Sequence, residues 1–174
     1  MSDSAPTHLA AFLASLGLVG DPEIQDTPRR VSELLAAFAP PREGPPALSV
    51  TQTTTTVPVV VRGMPFHSLC VHHLLPFFGT VAVAYRPSGA VVGLGSIPRT
   101  VKYFAHQLQL QERLADQIAD ALFDATAARS LAVGIRARHM CIEMRGASSP
   151  AEVLVVASRG EDDPWIVEKV EDPG

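Results

Sequence analysis

The sequence predicts an α+β fold, in which an antiparallel sheet carries helices on one face and a short helical region comes first. The first observation is the order of patterns, since helical and strand-like segments alternate in pairs: two helices, two strands, two helices and two strands. Such segregation is typical of α+β proteins. The second is that the chain has 174 residues, of which 47% are hydrophobic. One globular domain with a sizeable core is therefore expected.

The N-terminal region contains two amphipathic patterns. Apolar residues in 9–16 recur at i, i+3, i+4 and i+7, and a second stripe runs through 31–38. This spacing predicts helices. Thr27 is expected to cap the second helix and Pro28 to occupy its first position. The Pro-rich residues 39–47 predict a loop after it.

From residue 50 onward, β-branched runs predict strands and apolar stripes predict helices. The expected elements are strands over 51–61 and 79–87, a short extended piece at 91–94, a helix from Pro98, a helix from Gln111, and strands over 130–144 and 151–158. The acidic tail is predicted to be a surface feature. A sheet covered on one face leaves edges open, so we expect oligomerisation to cover them.

Composition excludes several classes of partner. The net charge is −4 and no basic stripe is present, which argues against nucleic acid. No apolar run approaches the roughly 20 residues that a membrane span needs. The first residues lack the basic and apolar regions of a secretory signal, so a cytoplasmic protein is expected.

A short segment concentrates metal-ligating residue types. Cys70 and His73 are three residues apart, and His72 stands between them. A thiolate and an imidazole at this spacing suit Zn²⁺, and Cys141, the only other cysteine, is a candidate third ligand. Three protein ligands with one open position are typical of catalytic zinc, and no clean fourth ligand is visible. The alternative is that both cysteines are buried structural thiols.

A second cluster lies near the end of the predicted strand over 130–144. His139 and Cys141 are two residues apart, and Arg145 has the same parity. In a regular strand, all three side chains would point to one face. The alternative is a solvated strand end with an incidental histidine.

Four segments resemble the GTP cyclohydrolase I family: DTPRRV (26–31), FHSLCVHHLLPF (66–77), residues 91–122, and HMCIEMRG (139–146). The resemblance covers roughly residues 8–160, with every block in family order. It implies the tunnelling fold, a homodecamer of the allosteric type that consists of two pentameric rings, and an active site shared between subunits. We therefore expect an N-terminal helical appendage (1–47) followed by a tunnelling-fold catalytic domain (48–174).

The resemblance implies a reaction and a catalytic centre. The family converts GTP and water to formate and 7,8-dihydroneopterin triphosphate, in tetrahydrofolate and pterin biosynthesis. Cys70, His73 and Cys141 match its zinc ligands, although Fe²⁺ is not excluded as the metal, and zinc would activate the water that attacks C8 of guanine. His72 and His139 match its acid–base histidines, and imidazole titrates in the range that proton transfer requires.

The resemblance also implies the substrate contacts. Gln111 and Glu112 match the stretch that recognises guanine, and Arg30, Arg99 and Arg145 match contacts to the triphosphate. Arg30 would act from a neighbouring subunit. A guanidinium offers a planar fork to phosphate oxygens. The alternative for Gln111 and Glu112 is an exposed first helical turn, where an acidic residue is favoured.

Three positions depart from the family pattern. Val71 stands where the family usually has Glu, and Gly95 and Ser96 stand where it usually has Ser and Lys. The expected Ser is associated with ribose opening and the Lys with the triphosphate. A paralogue is therefore an alternative, one that stops at a ring-opened formamide or diaminopyrimidine or uses another guanine nucleotide. A third possibility is a non-catalytic decamer that binds a nucleotide or pterin and regulates another protein.

Overall fold

The structure is a computed structural model that describes residues 4–171. These residues form two compact units, which divide between Pro40 and Pro41. The predicted domain boundary between residues 47 and 48 lies in the same irregular segment and stays a prediction. No helix among residues 4–171 is both long and apolar enough to cross a membrane.

The first unit contains helices α1 (Ser4–Ser15) and α2 (Thr27–Ala37), with a 3-10 turn at Pro22–Ile24 between them. The two helices pack against each other. The sequence pattern predicted Thr27 as the N-cap of α2, but the N-cap in the structure is Asp26. The Asp26 carboxylate makes no capping bond, because it is engaged by the side chains of Arg29 and Arg30.

The second unit is built on two sheets. Its strands are β1 (Val50–Gln52), β2 (Val59–Cys70), β3 (Pro76–Arg86), β4 (Ala90–Val92), β5 (Leu108–Gln109), β6 (Ser130–His139) and β7 (Glu152–Gly160). Strands β1 and β4 form a small antiparallel pair, and the main sheet has the order β5-β2-β3-β6-β7. Its four long strands are antiparallel, as predicted, whereas the two-residue β5 runs parallel to β2.

Helices α3 (Ser96–Ala105) and α4 (Gln111–Thr126) cover one face of the main sheet. In α4 the buried residues Leu114, Ile118 and Leu122 recur every four positions, so one helical stripe meets the sheet. Burying each of these side chains contributes about 1.5–3 kcal/mol. The prediction of an α+β fold with helices packed on a sheet is confirmed.

A third helix, α6 (Pro164–Glu171), packs on the opposite face of the sheet, where the sequence predicted no helix. Its two buried residues, Ile166 and Val170, contact small residues of β3 and β6. Gly134 permits this approach, because a Cβ atom there would overlap the Val170 backbone. The acidic tail is therefore not only a surface feature within the described residues. The apolar pattern that would predict α6 is weak in the sequence, because this helix buries only two apolar residues.

Strand β6 ends at His139, and a one-turn helix, α5 (Met140–Glu143), follows it. The predicted strand over 130–144 is therefore wrong beyond His139. The Arg138 guanidinium binds the Glu143 carboxylate at 2.8 Å, which closes this turn. Because the chain turns here, His139, Cys141 and Arg145 do not share one strand face.

Candidate active site

The turn between β2 and β3 brings two candidate metal ligands together. The Cys70 carbonyl accepts hydrogen bonds from the backbone N–H of Leu74 at 2.8 Å and of His73 at 3.3 Å. Leu74 adopts a left-handed conformation, with φ of 54°. This tight turn places Cys70 Sγ 3.8 Å from His73 Nδ1. Donors around one tetrahedral ion lie about 3.3–3.8 Å apart when ligand bonds are about 2.0–2.3 Å long.

Cys141 completes the cluster from α5. The ligand atoms of Cys70, His73 and Cys141 all lie within 4.8 Å of one another. Cys70 is buried, Cys141 is half-buried and His73 is exposed, so the cluster is closed on one side and open on the other. Thiolate and imidazole donors in this geometry can hold a metal ion and leave a position free.

The surroundings of Cys141 disfavour its thiolate form. Burial raises the pKa of the Cys141 thiol, and the neighbouring Cys70 raises it further. The positive charge of Arg145 acts in the opposite direction. Because a thiol must lose its proton before it can bind a metal, a cation in this cluster would favour the thiolate of Cys141.

The short strand β5 connects the metal-binding turn to α4. It pairs with the end of β2 through Leu69–Leu108 and Cys70–Gln109, and the Val71 N–H donates to the Gln109 carbonyl at 3.0 Å. Helix α4 begins two residues later, at Gln111. The first turn of α4 is thereby held beside the turn that carries the candidate ligands.

Gln111 links α4 to two strands and to His139. Its side chain is only 2% exposed. The amide Nε2 donates to the carbonyl of Ile135 at 2.7 Å and to that of Val153 at 3.0 Å. The amide oxygen lies 2.6 Å from His139 Nε2. All the polar atoms of this side chain are therefore engaged by the protein.

His139 occupies the last position of β6 and is half-buried. Its ring stacks on Phe77 with a centroid separation of 4.9 Å and an interplanar angle of 6°. Burial lowers the pKa of His139, and the nearby Glu112 carboxylate opposes that change. The imidazole is therefore held neutral near pH 7, in the form that can accept a proton.

The remaining predicted residues differ in how closely they join this group. His72 is exposed in the turn, with its ring centroid 6.1 Å from that of His73. Glu112 is exposed in the first turn of α4, within electrostatic reach of His139. Arg145 is exposed just after α5 and acts on Cys141.

Arg99 and Arg30 are not joined to the cluster by any of these contacts. Arg99 is exposed on α3, where it donates to the Ser96 hydroxyl at 3.0 Å. Arg30 belongs to the first unit and pairs with Asp26 at 3.4 Å. The roles of both arginines in phosphate binding stay predictions.

Sequence reasoning missed Phe77 as a site residue. It is 1% exposed and lies opposite His139 in the β3–β6 register. Only the strand pairing brings these two residues together, because they are far apart in the chain. A phenylalanine four residues after His73 was the one available signal.

The three positions that depart from the family pattern have distinct environments. Ser96 is 2% exposed, and its hydroxyl accepts from the backbone N–H of Ser49 at 3.1 Å as well as from Arg99. A Cβ atom on Gly95 would meet only Arg99 Nη1, at 3.4 Å. Val71 is 37% exposed in the metal-binding turn.

The fold and the Cys-His-Cys cluster define a class of tunnelling-fold proteins with a site that could hold a metal ion, and the comparisons with known proteins agree on the fold and family. The sequence profile of the family described as GTP cyclohydrolase I matches residues 6–163. A GTP cyclohydrolase 1 from Hyperthermus butylicus is 42% identical over 167 residues, a match that covers 91% of this chain and 83% of that protein. This chain belongs to the GTP cyclohydrolase I family, as the sequence segments predicted.

Other relatives match over a shorter segment. A GTP cyclohydrolase 1 from Campylobacter lari is 59% identical over 88 residues, which is 51% of this chain and 46% of that protein. A GTP cyclohydrolase 1 from a Janthinobacterium species is 50% identical over 100 residues, which is 58% of this chain and 50% of that protein. The match thus spans about half the length of these two relatives.

A solved structure supports the fold. The crystal structure of the archaeosine synthase QueF-Like in the apo form superposes with a TM-score of 0.50, at 22% sequence identity. The similarity covers 64% of this chain and 100% of that one. At this identity the likeness bears on the fold alone, and it confirms the predicted tunnelling architecture.

Proposed function

We propose that this protein is a zinc-dependent GTP cyclohydrolase I, which converts GTP and water to formate and 7,8-dihydroneopterin triphosphate. The observation that carries the proposal is the Cys70–His73–Cys141 cluster, with ligand atoms within 4.8 Å of one another, beside His139. The relatives named GTP cyclohydrolase 1 support the same reaction.

The donor set fits zinc. Two thiolates and one imidazole form a soft site with an open position, as in catalytic zinc centres, and Fe²⁺ is the alternative metal. Zinc in such a site supplies water activated at neutral pH. Cys70, His73 and Cys141 would hold the ion, and the exposed side at His73 leaves access for a nucleotide.

Guanine recognition falls to Glu112 in this proposal. Its carboxylate is exposed in the first turn of α4, where the helix dipole favours a negative charge. A carboxylate accepts hydrogen bonds from both N1–H and the exocyclic amine of guanine, and adenine offers no such pair. The β5 pairing keeps this turn beside the metal ligands.

Proton transfer falls to the two histidines that do not bind the metal. His139 is neutral near pH 7 because burial lowers its pKa, so it is ready to accept a proton. His72 is exposed beside the ligand His73 and can exchange protons with solvent and substrate. Each such group contributes typically 10²–10⁴-fold to a rate.

Arginines are proposed to hold the triphosphate. Arg99 and Arg145 are exposed and would act within one subunit, and Arg30 would act from a neighbouring one. We propose a cytoplasmic homodecamer of two pentamers. The nine-residue β7 supports an assembly, because it pairs only with β6 among the described strands and leaves one edge open. Analytical ultracentrifugation would test the subunit count.

The central experiment incubates the zinc-loaded protein with GTP and measures formate and product mass together. We expect one formate for each 7,8-dihydroneopterin triphosphate. The matched control is the same preparation after chelation, followed by stoichiometric zinc to restore activity. Absence of formate from a protein with full zinc occupancy would sink the proposal.

A second candidate is an enzyme that opens the imidazole ring but stops at a formamide or diaminopyrimidine, or prefers another guanine nucleotide. Two features favour it: Gly95 offers no hydroxyl, and the Ser96 hydroxyl is buried and bound to Ser49 and Arg99. The same incubation separates the two candidates, because a finished pterin fluoresces and a ring-opened product does not.

A further inference from the structure

We infer that Gln111 is a positioning residue, whose side-chain oxygen holds His139 as the Nε2–H tautomer and so leaves the lone pair of the ring on Nδ1. The sequence suggested instead that Gln111 reads guanine. The inference rests on the proposed function only in assuming that His139 handles protons.

The orientation of the Gln111 amide is determined by its partners. Its Nε2 lies within hydrogen-bond distance of two carbonyl oxygens, that of Ile135 at 2.7 Å and that of Val153 at 3.0 Å. Carbonyl oxygens can only accept, so the amide nitrogen must be the group that faces them. The amide oxygen must then face His139, and a flipped amide would set oxygen against oxygen.

The tautomer of His139 follows from that orientation. An amide oxygen can only accept, so the nitrogen 2.6 Å away, Nε2, must carry a proton. A neutral imidazole has one N–H and one lone pair, and the lone pair therefore lies on Nδ1.

The ring is also fixed in its plane. Phe77, which is 1% exposed, stacks against it at an interplanar angle of 6°. His139 and Phe77 are held opposite each other by the β3–β6 pairing. Rotation of the imidazole would break the stacking and the hydrogen bond together, so both contacts favour one ring orientation.

The same contacts argue against a direct role for Gln111 in reading guanine. Both amide hydrogens and the oxygen are already engaged inside the protein, and the side chain is 2% exposed. The next residue, Glu112, is exposed instead. Recognition and positioning are thus divided between two successive residues of α4.

The experiment compares zinc-loaded wild type with Gln111→Met. Magic-angle-spinning ¹⁵N NMR on histidine-labelled protein reports which ring nitrogen is protonated, and His139→Asn identifies the signals. We expect Nε2–H in the wild type and a mixture of tautomers in Gln111→Met. With GTP as substrate, kcat should fall about 10-fold or more while KM changes less than about 3-fold.

Two further variants separate positioning from general damage. Thr126→Val removes another buried side-chain bond of α4, to the Leu122 carbonyl, and should leave tautomer and kinetics unchanged. Phe77→Leu removes the stacked ring but keeps the Gln111 contact, so it should retain the Nε2–H tautomer even where Gln111→Met does not fold.

Three outcomes would overturn the inference: an Nδ1–H tautomer in the wild type, an unchanged tautomer in Gln111→Met, or a raised KM with kcat preserved. The last would return Gln111 to guanine binding. Because the NMR measurement needs no turnover, a failed activity assay with the expected tautomers would contradict the proposed reaction alone.

Discussion

The polar side chains near the two ends of strand β6 differ in whether the protein supplies them with a charged partner. At its start, the Asp163 carboxylate accepts from Arg86 and from the Ser130 hydroxyl, both at 2.9 Å. At its end, Cys70 and Cys141 face each other with no opposite charge in hydrogen-bond contact. The first end is satisfied by the protein itself, whereas the second could be satisfied by a bound cation.

The pKa shifts follow this division. The hydrogen bond from Arg86 lowers the pKa of Asp163 and so favours its charged form. Burial raises the pKa of Cys141 and lowers that of His139, which favours the neutral form of each. One end of the strand is therefore arranged for stability, and the other carries the proposed metal ligands and the proposed proton carrier.

The largest effect is expected from Cys141→Ala. Two ligands hold Zn²⁺ poorly, so metal content and activity should be lost together. Metal analysis after dialysis and a formate assay would measure both. Met140→Leu, in the same short helix, is the control and should keep its metal. Full zinc occupancy in Cys141→Ala would refute the three-ligand assignment.

His139→Ala should separate chemistry from metal binding. We expect zinc to remain at wild-type stoichiometry and turnover to fall roughly 10²–10⁴-fold. His67→Ala is the control, because His67 is an exposed residue of β2 on the face opposite Cys70. If His139→Ala loses its zinc, His139 is a ligand and its proposed role is wrong.

Asp163→Asn should lower stability through the contacts at the start of β6 and leave the candidate site at its other end unchanged. Weakening the hydrogen bond to Arg86 should lower the free energy of unfolding by about 1–3 kcal/mol, with metal content and turnover unchanged. Denaturant unfolding would measure it. The exposed neighbour in Asp162→Asn should change stability by less than about 0.5 kcal/mol.

The Asp163 contribution should also depend on pH. Because the folded state lowers this pKa, the stabilisation is complete above the unfolded carboxyl pKa of about 4. It disappears as the pH falls through the lower pKa of the folded state. Wild type and Asp163→Asn should therefore converge in stability in strong acid, and a constant difference would contradict this account.

The smallest change in stability is expected from Gly95→Ser. The residue has φ of −70° and ψ of −16°, and an added Cβ atom would make only an ordinary contact with Arg99. Stability should change by less than about 0.5 kcal/mol. If the added hydroxyl assists ribose opening, the share of finished pterin should rise. An unchanged product ratio would remove Gly95 from the argument for a ring-opened product.

Local patterns predicted most of the second unit. β-branched runs indicated β3 and β7, and the spacing of Leu114, Ile118 and Leu122 indicated α4, because these signals depend on neighbours in the chain. The CxxH spacing and the family segments likewise indicated the metal ligands. Family membership followed from the order of motifs, which needs no coordinates.

The sequence did not reveal features that depend on distant partners. The stacking of Phe77 on His139 needs the β3–β6 register, and the engagement of Gln111 needs carbonyls from two other strands. The turn at α5 went unnoticed because Met140–Glu143 reads as a continuation of the strand. No local rule distinguishes a glutamine that reads a nucleotide from one that orients a histidine.

The distance along the chain between the ligands has a consequence for folding. Cys70 and His73 lie in one hairpin, which a nascent chain completes long before Cys141 emerges. An ion held by all three residues would bind the folded chain and not the unfolded one, so it would stabilise the fold in proportion to its binding free energy. Tight capture of a metal would therefore wait until β6 has docked against β3, and release of the ion would accompany the separation of those strands.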